Sequence, residues 1–500
     1  MITMPMNKLQ QNRVVGGGLV CCGALFAVWL LRAAPHSAAD ASPSASDLAS
    51  AHPQGAITVW SWNIAAKSLQ KLAPQFERTQ PAVKVDVDMT GARMQTRLML
   101  SLAAGVGAPD VSQFELTDAP RYIATGRLTD LTPIAAKYRT MFPTSLWDNC
   151  TMNGRVYAIP WDIGPCGVFY KRDLFLRYGI DATKIETWDD YIEAGKTILQ
   201  RSGGRTKMLA LGSNSLRPMF EMLIQQNGGQ IFDDQGRIAI DSPQTRQALG
   251  LIRKMRAAGI CSDTALWSQE FLAGLNDESI ATYPIAVWFA GTIKDTVKDF
   301  AGKKADWGVF RLPAITPGGL HVANLGGSVL VIPAQSRNKA AAWAFIEYAL
   351  CTNTGQLAQY KSMSLFPAYL PALQTSVLDE PDPFFGGQKT GRLFATDVTR
   401  ISRLNRTPAW GEAIRYLDQE LSRWAASGMQ SDGFFENLAR KMHRRLDLPI
   451  APPTVTSDVK PKAFAEHGIQ QTFPVHRTQQ ALAGHGRQQA FAAHVGRRQP

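Results

Sequence analysis

Five hundred residues with 45% apolar and 19% charged side chains are enough to bury more than one core, which excludes a chain too polar to fold and predicts two or three domains. The net charge of +12 is mild where the chain can fold: residues 55–450 carry 44 basic against 37 acidic side chains, or +7, and no basic block there is interleaved with aromatics. Nucleic acid is therefore excluded as a partner, and with only His321 and His443 in the body, so is a histidine-based metal centre or catalytic triad.

The chain opens with Lys8 and Arg13, then runs uncharged from Val14 to Leu31 before Arg32. Eighteen such residues read as an export signal or a membrane anchor. Ser37 and Ala39 offer small residues for cleavage before Asp40, whereas a lipoprotein site at Cys21 or Cys22 has too short an apolar lead. All three readings export the folded part, to the periplasm or cell surface. Residues 40–54 are rich in Ala, Ser and Pro and form a linker.

From Gly55 the periodicity alternates. Ile57-Thr58-Val59-Trp60 is a strand, Leu69, Leu72 and Phe76 mark one helix face, and Val83, Val85 and Val87 alternate with Lys84, Asp86 and Asp88 in a second strand. A helix carrying Met94, Leu98 and Leu102 and a strand from Pro109 toward Glu115 follow. Such an order predicts a mostly parallel sheet flanked by helices, with a ligand crevice at the carboxyl ends of its strands, where Trp62, Asn63 and Glu115 fall.

Ala158 to Phe175 reads differently: an apolar strand breaks at Pro160, sets Trp161 beside Asp162, and resumes at Val168-Phe169-Tyr170. A proline donates no ladder hydrogen bond, so the stretch predicts a crossover between two lobes. An indole beside a carboxylate suits a sugar, the ring stacking on C–H faces while the acid accepts hydroxyl protons. The alternative is a core Trp with an Asp that caps a turn. Further on, Thr187 and Ser242 cap helices, Tyr283 to Val287 and Leu330 to Ile332 are strands, and Asn338 to Ala349 is a helix.

Seven pieces in order carry a likeness: Ile57 to Trp62, Ala108 to Val111, Gly126 to Leu131, Asn153 to Pro160, Val168 to Leu174, Gly228 to Ile231, and Ala341 to Leu350 followed by Thr354-Gly355. Together they resemble the extracellular solute-binding proteins of sugar-type ATP-binding-cassette (ABC) importers, over about Gly55 to Leu448. The resemblance implies an α/β, two-lobed periplasmic-binding-protein fold of type II, two mostly parallel sheets joined by hinge crossovers. It implies a first lobe of 55–159 plus 322–366 and a second of 160–321 plus 367–448. By the same likeness Trp62, Asn63, Glu115, Asp118, Trp161, Asp162, Trp288 and Trp410 line the ligand cleft. The partners it implies are a small-molecule sugar and a membrane permease, with the protein a monomer that needs no cofactor. At the crossover Gly164-Pro165-Cys166 stands where maltose binders present an acid, which leaves the sugar's identity open.

Two rival functions stay in view. A secreted glycoside hydrolase could draw two carboxylates from Glu115, Asp118 and Asp162; an uncleaved anchor would make the protein a tethered sugar sensor. Against an enzyme, there is no His-Glu-x-x-His or phosphate loop, and Gly326-Gly327-Ser328-Val329-Leu330 lacks the last glycine of a nucleophile elbow. Four cysteines lie in the exported body, allowing three pairings; a Cys150 to Cys166 bridge would close a connection of about fifteen residues, and Cys351 reads as a core thiol. The final stretch, 449–500, repeats His467, His476, His485 and His494 every nine residues. Nine residues turn successive histidines to opposite faces, so the tail is expected to be disordered rather than a metal site.

Overall fold

Chain alternation becomes architecture at the amino end: β1 (Gly55–Ser61) leads into helix Asn63–Thr79, which returns to β2 (Val83–Met89). Leu69, Leu72 and Phe76 are buried along one face of that helix, and Val83 and Val87 point inward from β2 while Lys84, Asp86 and Asp88 stay exposed. The structure is a computed structural model that describes residues 52–91, 93–297, 306–430 and 432–452. The export segment, nearly all of the linker and the histidine repeats lie outside these residues. The expected start of the tail at 449 is corrected: Pro449 accepts a hydrogen bond from Ile238 and Ala451 donates one back, both at 2.8 Å.

The remaining strands are β3 (Val111–Glu115), β4 (Thr151–Met152), β5 (Arg155–Val156), β6 (Ile159–Pro160), β7 (Cys166–Lys171), β8 (Lys207–Ala210), β9 (Cys261–Ser262), β10 (Ile280–Ala286), β11 (Trp307–Arg311) and β12 (Ser328–Val331). They form a sheet in the order β2-β1-β3-β12-β6, another in the order β11-β7-β10-β8-β9, and the hairpin β4-β5. The hairpin turns on Asn153 and Gly154, both at positive φ (51° and 75°), as a tight two-residue loop requires.

Each five-stranded sheet has two parallel and two antiparallel pairings, so "mostly parallel" holds only for half of each. The reason lies in the crossings. Strands β1, β3 and β6 run toward the junction between the sheets, but β12 enters the first sheet from that junction and must run the other way. Strand β7 enters the second sheet likewise, antiparallel to β10 and β11. Pro160 closes β6 by pairing with Val329, so the crossing begins after it, at Trp161, and not at Pro160.

Strand alternation then sorts side chains between two cores. In β7, Val168 joins Leu209, Phe220 and Trp188 in one core; its neighbour Phe169 joins Phe289, Phe385 and Phe394 in the other. The latter core also holds Ile57, Phe76 and Phe114 of the first lobe, so apolar packing runs from the first sheet to the back of the second. Helices Lys339–Leu350 and Asn353–Met363 pack on Asn63–Thr79, Phe345 meeting Phe76 at 5.3 Å. The capped helices are confirmed in detail: Thr187 and Asp190 form a capping box, as do Ser242 and Thr245.

Candidate ligand cleft

Two strips of chain cross side by side between the sheets. Leu325 donates to the Gly164 carbonyl at 3.0 Å, Gly164 donates to Asn324 Oδ1 at 2.8 Å, and Cys166 donates to the Ala323 carbonyl at 2.9 Å. Glycine is required at this approach: a Cβ on Gly164 would lie 2.0 Å from the Leu325 carbonyl oxygen. Gly327 takes φ +106°, and a side chain there would meet the Asp162 carbonyl at 2.9 Å. From the second lobe, Gln225 grips Asn324 through both its backbone N–H (3.1 Å) and its carbonyl (2.9 Å).

A polar relay lines the carboxyl edge of the first sheet beside these crossings. Ser61 Oγ donates to Gln113 Oε1 at 2.6 Å, Gln113 Nε2 donates to Ser328 Oγ at 3.0 Å, and the Ser328 N–H donates to Asp162 Oδ1 at 2.8 Å. The backbone N–H of Trp62 also donates to Gln113, at 3.3 Å. Glu115 ends β3 directly opposite Ser328 in the pairing register. The relay thus ties Trp62, Glu115 and Asp162 to one edge, as crevice placement at strand ends predicts.

The acids on this edge are hard to ionise. Burial raises Asp162 to about 6, although the hydrogen bonds from Ser328 favour its charged form. Burial, and then the charges of Asp162 and Asp118, raise Glu115 to about 7. Asp118 is raised by burial against the pull of Arg121. Near neutral pH the edge therefore holds both hydrogen-bond acceptors and carboxyl donors, a mixture matched to hydroxyls, which also do both.

Facing groups come from the second lobe. Trp288 donates its indole N–H to the Leu325 carbonyl at 3.0 Å and stacks on Trp267, ring centres 5.8 Å apart and planes 22° from parallel. Trp267 is half exposed (50%) and holds a left-handed backbone, φ +67°. A bulky residue in that region is strained, and an apolar ring left in water is unfavourable; both are features of ligand platforms. Asn63 is exposed at φ +50°, immediately after the half-buried Trp62.

Two expected platforms are corrected. Trp161 is 1% exposed, with its indole N–H donated to Gln359 Oε1 at 2.7 Å and its carbonyl bonded by Gln356 at 2.9 Å. The alternative reading of a core Trp holds, because the residue next to a strand end turns its side chain to the opposite side from Asp162. Trp410 lies 5% exposed in the second core beside Phe232, with Arg406 covering its ring. The Cys150 to Cys166 bridge is also corrected: both are free thiols, Cys150 in the first core and Cys166 in the second, and burial pushes each thiol far above its usual pKa. Cys351 is a buried core thiol.

Sequence reasoning missed Trp267, Gln113 and Ser328. A signal existed for Gln113, a polar residue inside an apolar strand, and for Trp267, an aromatic immediately before the helix-capping Ser268. Among the described residues no group of three or more His, Cys, Asp or Glu side chains could hold a metal ion, and no helix is long and apolar enough to cross a membrane.

Residues 61–350 match the profile of the bacterial extracellular solute-binding proteins. The chain belongs to this family. Its relatives include the arabinooligosaccharide-binding protein of Halalkalibacterium halodurans, 26% identical over 298 residues, covering 59% of this chain and 66% of that one, just under two thirds of its length. The lactose-binding protein of Rhizobium radiobacter is 26% identical over 377 residues, covering 70% of this chain and 84% of that one. Among solved structures, the sugar-binding protein MalE of Xanthomonas citri superposes with a TM-score of 0.68 at 21% identity, covering 79% of this chain and 98% of that one. An ABC-transporter-associated binding protein from B. animalis subsp. lactis, in complex with β-1,6-galactobiose, gives 0.63 at 25% identity over 80% of this chain and all of that one. This family member therefore shares the two-lobed α/β fold of sugar-binding proteins.

Proposed function

We propose that this family member captures a sugar of two or more rings between its lobes and hands it to a membrane importer, without chemistry. The observation that carries the reading is the Trp267–Trp288 stack: a half-exposed, backbone-strained indole lying on a second indole that is anchored to the crossing strip. Stacked rings bind the apolar face of a pyranose, and the acid edge of the first sheet supplies partners for hydroxyls. Closing the lobes would bring the two halves together, the ordinary hinge mode for a site between α/β lobes. Relatives named for arabinooligosaccharide, lactose and galactobiose support an oligosaccharide over a single ring.

Binding is favoured over hydrolysis because Glu115 ends β3 and Asp162 follows β6, the two strands that flank β12 in one sheet, so both acids rise from the same edge, whereas a glycosidase sets its two carboxylates on either side of the scissile bond. The exported location belongs with this function, and residues 14–31 are its proposed signal or anchor. Isothermal titration of purified protein against arabinooligosaccharides, lactose and β-1,6-galactobiose tests the reading. Saturable binding of at least one, with a smaller radius of gyration in the bound state and no released monosaccharide, is expected. Failure to bind any of them, or turnover lost in Glu115→Gln, overturns it.

A further inference from the structure

Arg406 lies in a stretch that ties the second lobe to the first. Three residues earlier, Arg403 pairs with Asp148 of the first lobe at 3.0 Å and approaches Asp234 of the second at 3.9 Å. Just after it begins helix Trp410–Ala426, which packs near Leu116–Asp118, the segment that follows Glu115. Arg406 is thus held where the second lobe faces the acid edge of the first.

Its guanidinium lies over the Trp410 indole, 5.0 Å from the ring centre. Its Nε is closed off from solvent and meets no acceptor, and none of its nitrogens joins a hydrogen bond or ion pair among the described residues. The acid whose charge reaches it, Glu221, is already held by Arg217 at 2.8 Å, and Arg217 Nε also spans both oxygens of Asp418 at 3.0 Å. Burial disfavours the Arg406 charge, yet a guanidinium does not give up its proton in a protein. Its Nε is shut in without an acceptor, while the terminal nitrogens are not closed off from solvent and present an unpaired fork of donors that an anionic group could take.

A hydroxyl would satisfy one donor and leave the charge uncompensated. A carboxylate matches the planar fork with two parallel charge-assisted bonds, and the indole beneath keeps that fork flat. A dianionic phosphate fits less well, since Glu221 would repel its second charge. We propose that Arg406 is a specificity-determining ligand contact and that the cleft takes an acidic sugar, a uronic-acid-bearing saccharide whose carboxylate docks on the guanidinium. This rests on the sugar-capture reading above and names the class of sugar.

The test is titration calorimetry on the full chain with a matched pair, a galacturonic acid disaccharide and the neutral galactobiose of the same linkage, with galactose 6-phosphate as a third probe. The wild type is expected to bind the acidic member at least tenfold more tightly, the advantage shrinking as salt is raised. Arg406→Gln should bring that ratio to within about twofold, and Arg406→Lys should keep part of it. Equal or tighter binding of the neutral disaccharide by the wild type overturns the assignment to Arg406 while leaving sugar capture intact. Binding of none of the three probes overturns the acidic-sugar assignment, while sugar capture itself stands or falls on the arabinooligosaccharide and lactose titrations. Tighter binding of the phosphate than of the uronate replaces the carboxylate with another anion and refutes the stated class.

Discussion

Substituting Glu115 by Gln isolates the electrostatic character of the cleft edge. Glu115 has a pKa of about 7 in the fold against an ordinary 4.5, so its charged form is disfavoured by the folded protein. Below pH 4.5 the acid is protonated both folded and unfolded and costs nothing. Between pH 4.5 and 7 the unfolded chain releases the proton and the folded one keeps it, so stability falls as pH rises. Two and a half pKa units correspond to at most about 3 kcal/mol, fully expressed above pH 7. Asp162, raised from 3.8 to about 6, adds its own decline over a lower window. Glu115→Gln should therefore match the wild type at pH 4, exceed it by up to about 3 kcal/mol at pH 8, and retain only the lower part of the decline. Urea unfolding followed by tryptophan fluorescence across pH 4 to 8 measures this. A variant no more stable than the wild type at pH 8 would mean that the carboxyl is solvated and the edge does not hold protonated acids.

Trp267→Ala should weaken sugar binding by about 2 kcal/mol, roughly thirtyfold, while unfolding hardly changes, because the ring is half exposed; unchanged affinity in calorimetry would remove the platform. Trp161→Ala should cost about 3 to 5 kcal/mol of folding stability by opening a cavity and by depriving Gln359 of the indole donor; a variant as stable as the wild type in urea would contradict its core placement. Gly164→Ala forces the crossing strips apart, since its Cβ would fall 2.0 Å from a carbonyl oxygen. It should lower the melting temperature and abolish the ligand-dependent contraction in scattering, and a variant that still contracts would show that the strips need not pass so closely.

The regular elements were legible because they depend on local periodicity and caps. Val83, Val85 and Val87 alternating with charges, or Thr187 three residues before Asp190, specify a strand and a helix start whatever surrounds them. The order of elements likewise announced two α/β lobes with a crossover near Pro160. Direction within the sheets was not legible, because a strand's sense depends on whether the chain is entering or leaving the junction, and that is settled only when β12 returns from the second lobe to pair with β3 and β6. Site residues divide the same way. Glu115 and Asp162 could be named from their places at strand ends, but nothing in Trp161-Asp162 says which of two adjacent side chains faces the core. Burial of the indole against Gln359, and exposure of Trp267 more than a hundred residues away, follow from how distant segments pack. By itself the sequence determined what depends on neighbours along the chain: the elements, their order, the free acids at strand ends. Only the tertiary structure decided which aromatic ring is solvent-facing and which arginine is left unpaired, because burial and pairing are sums over residues far apart in sequence.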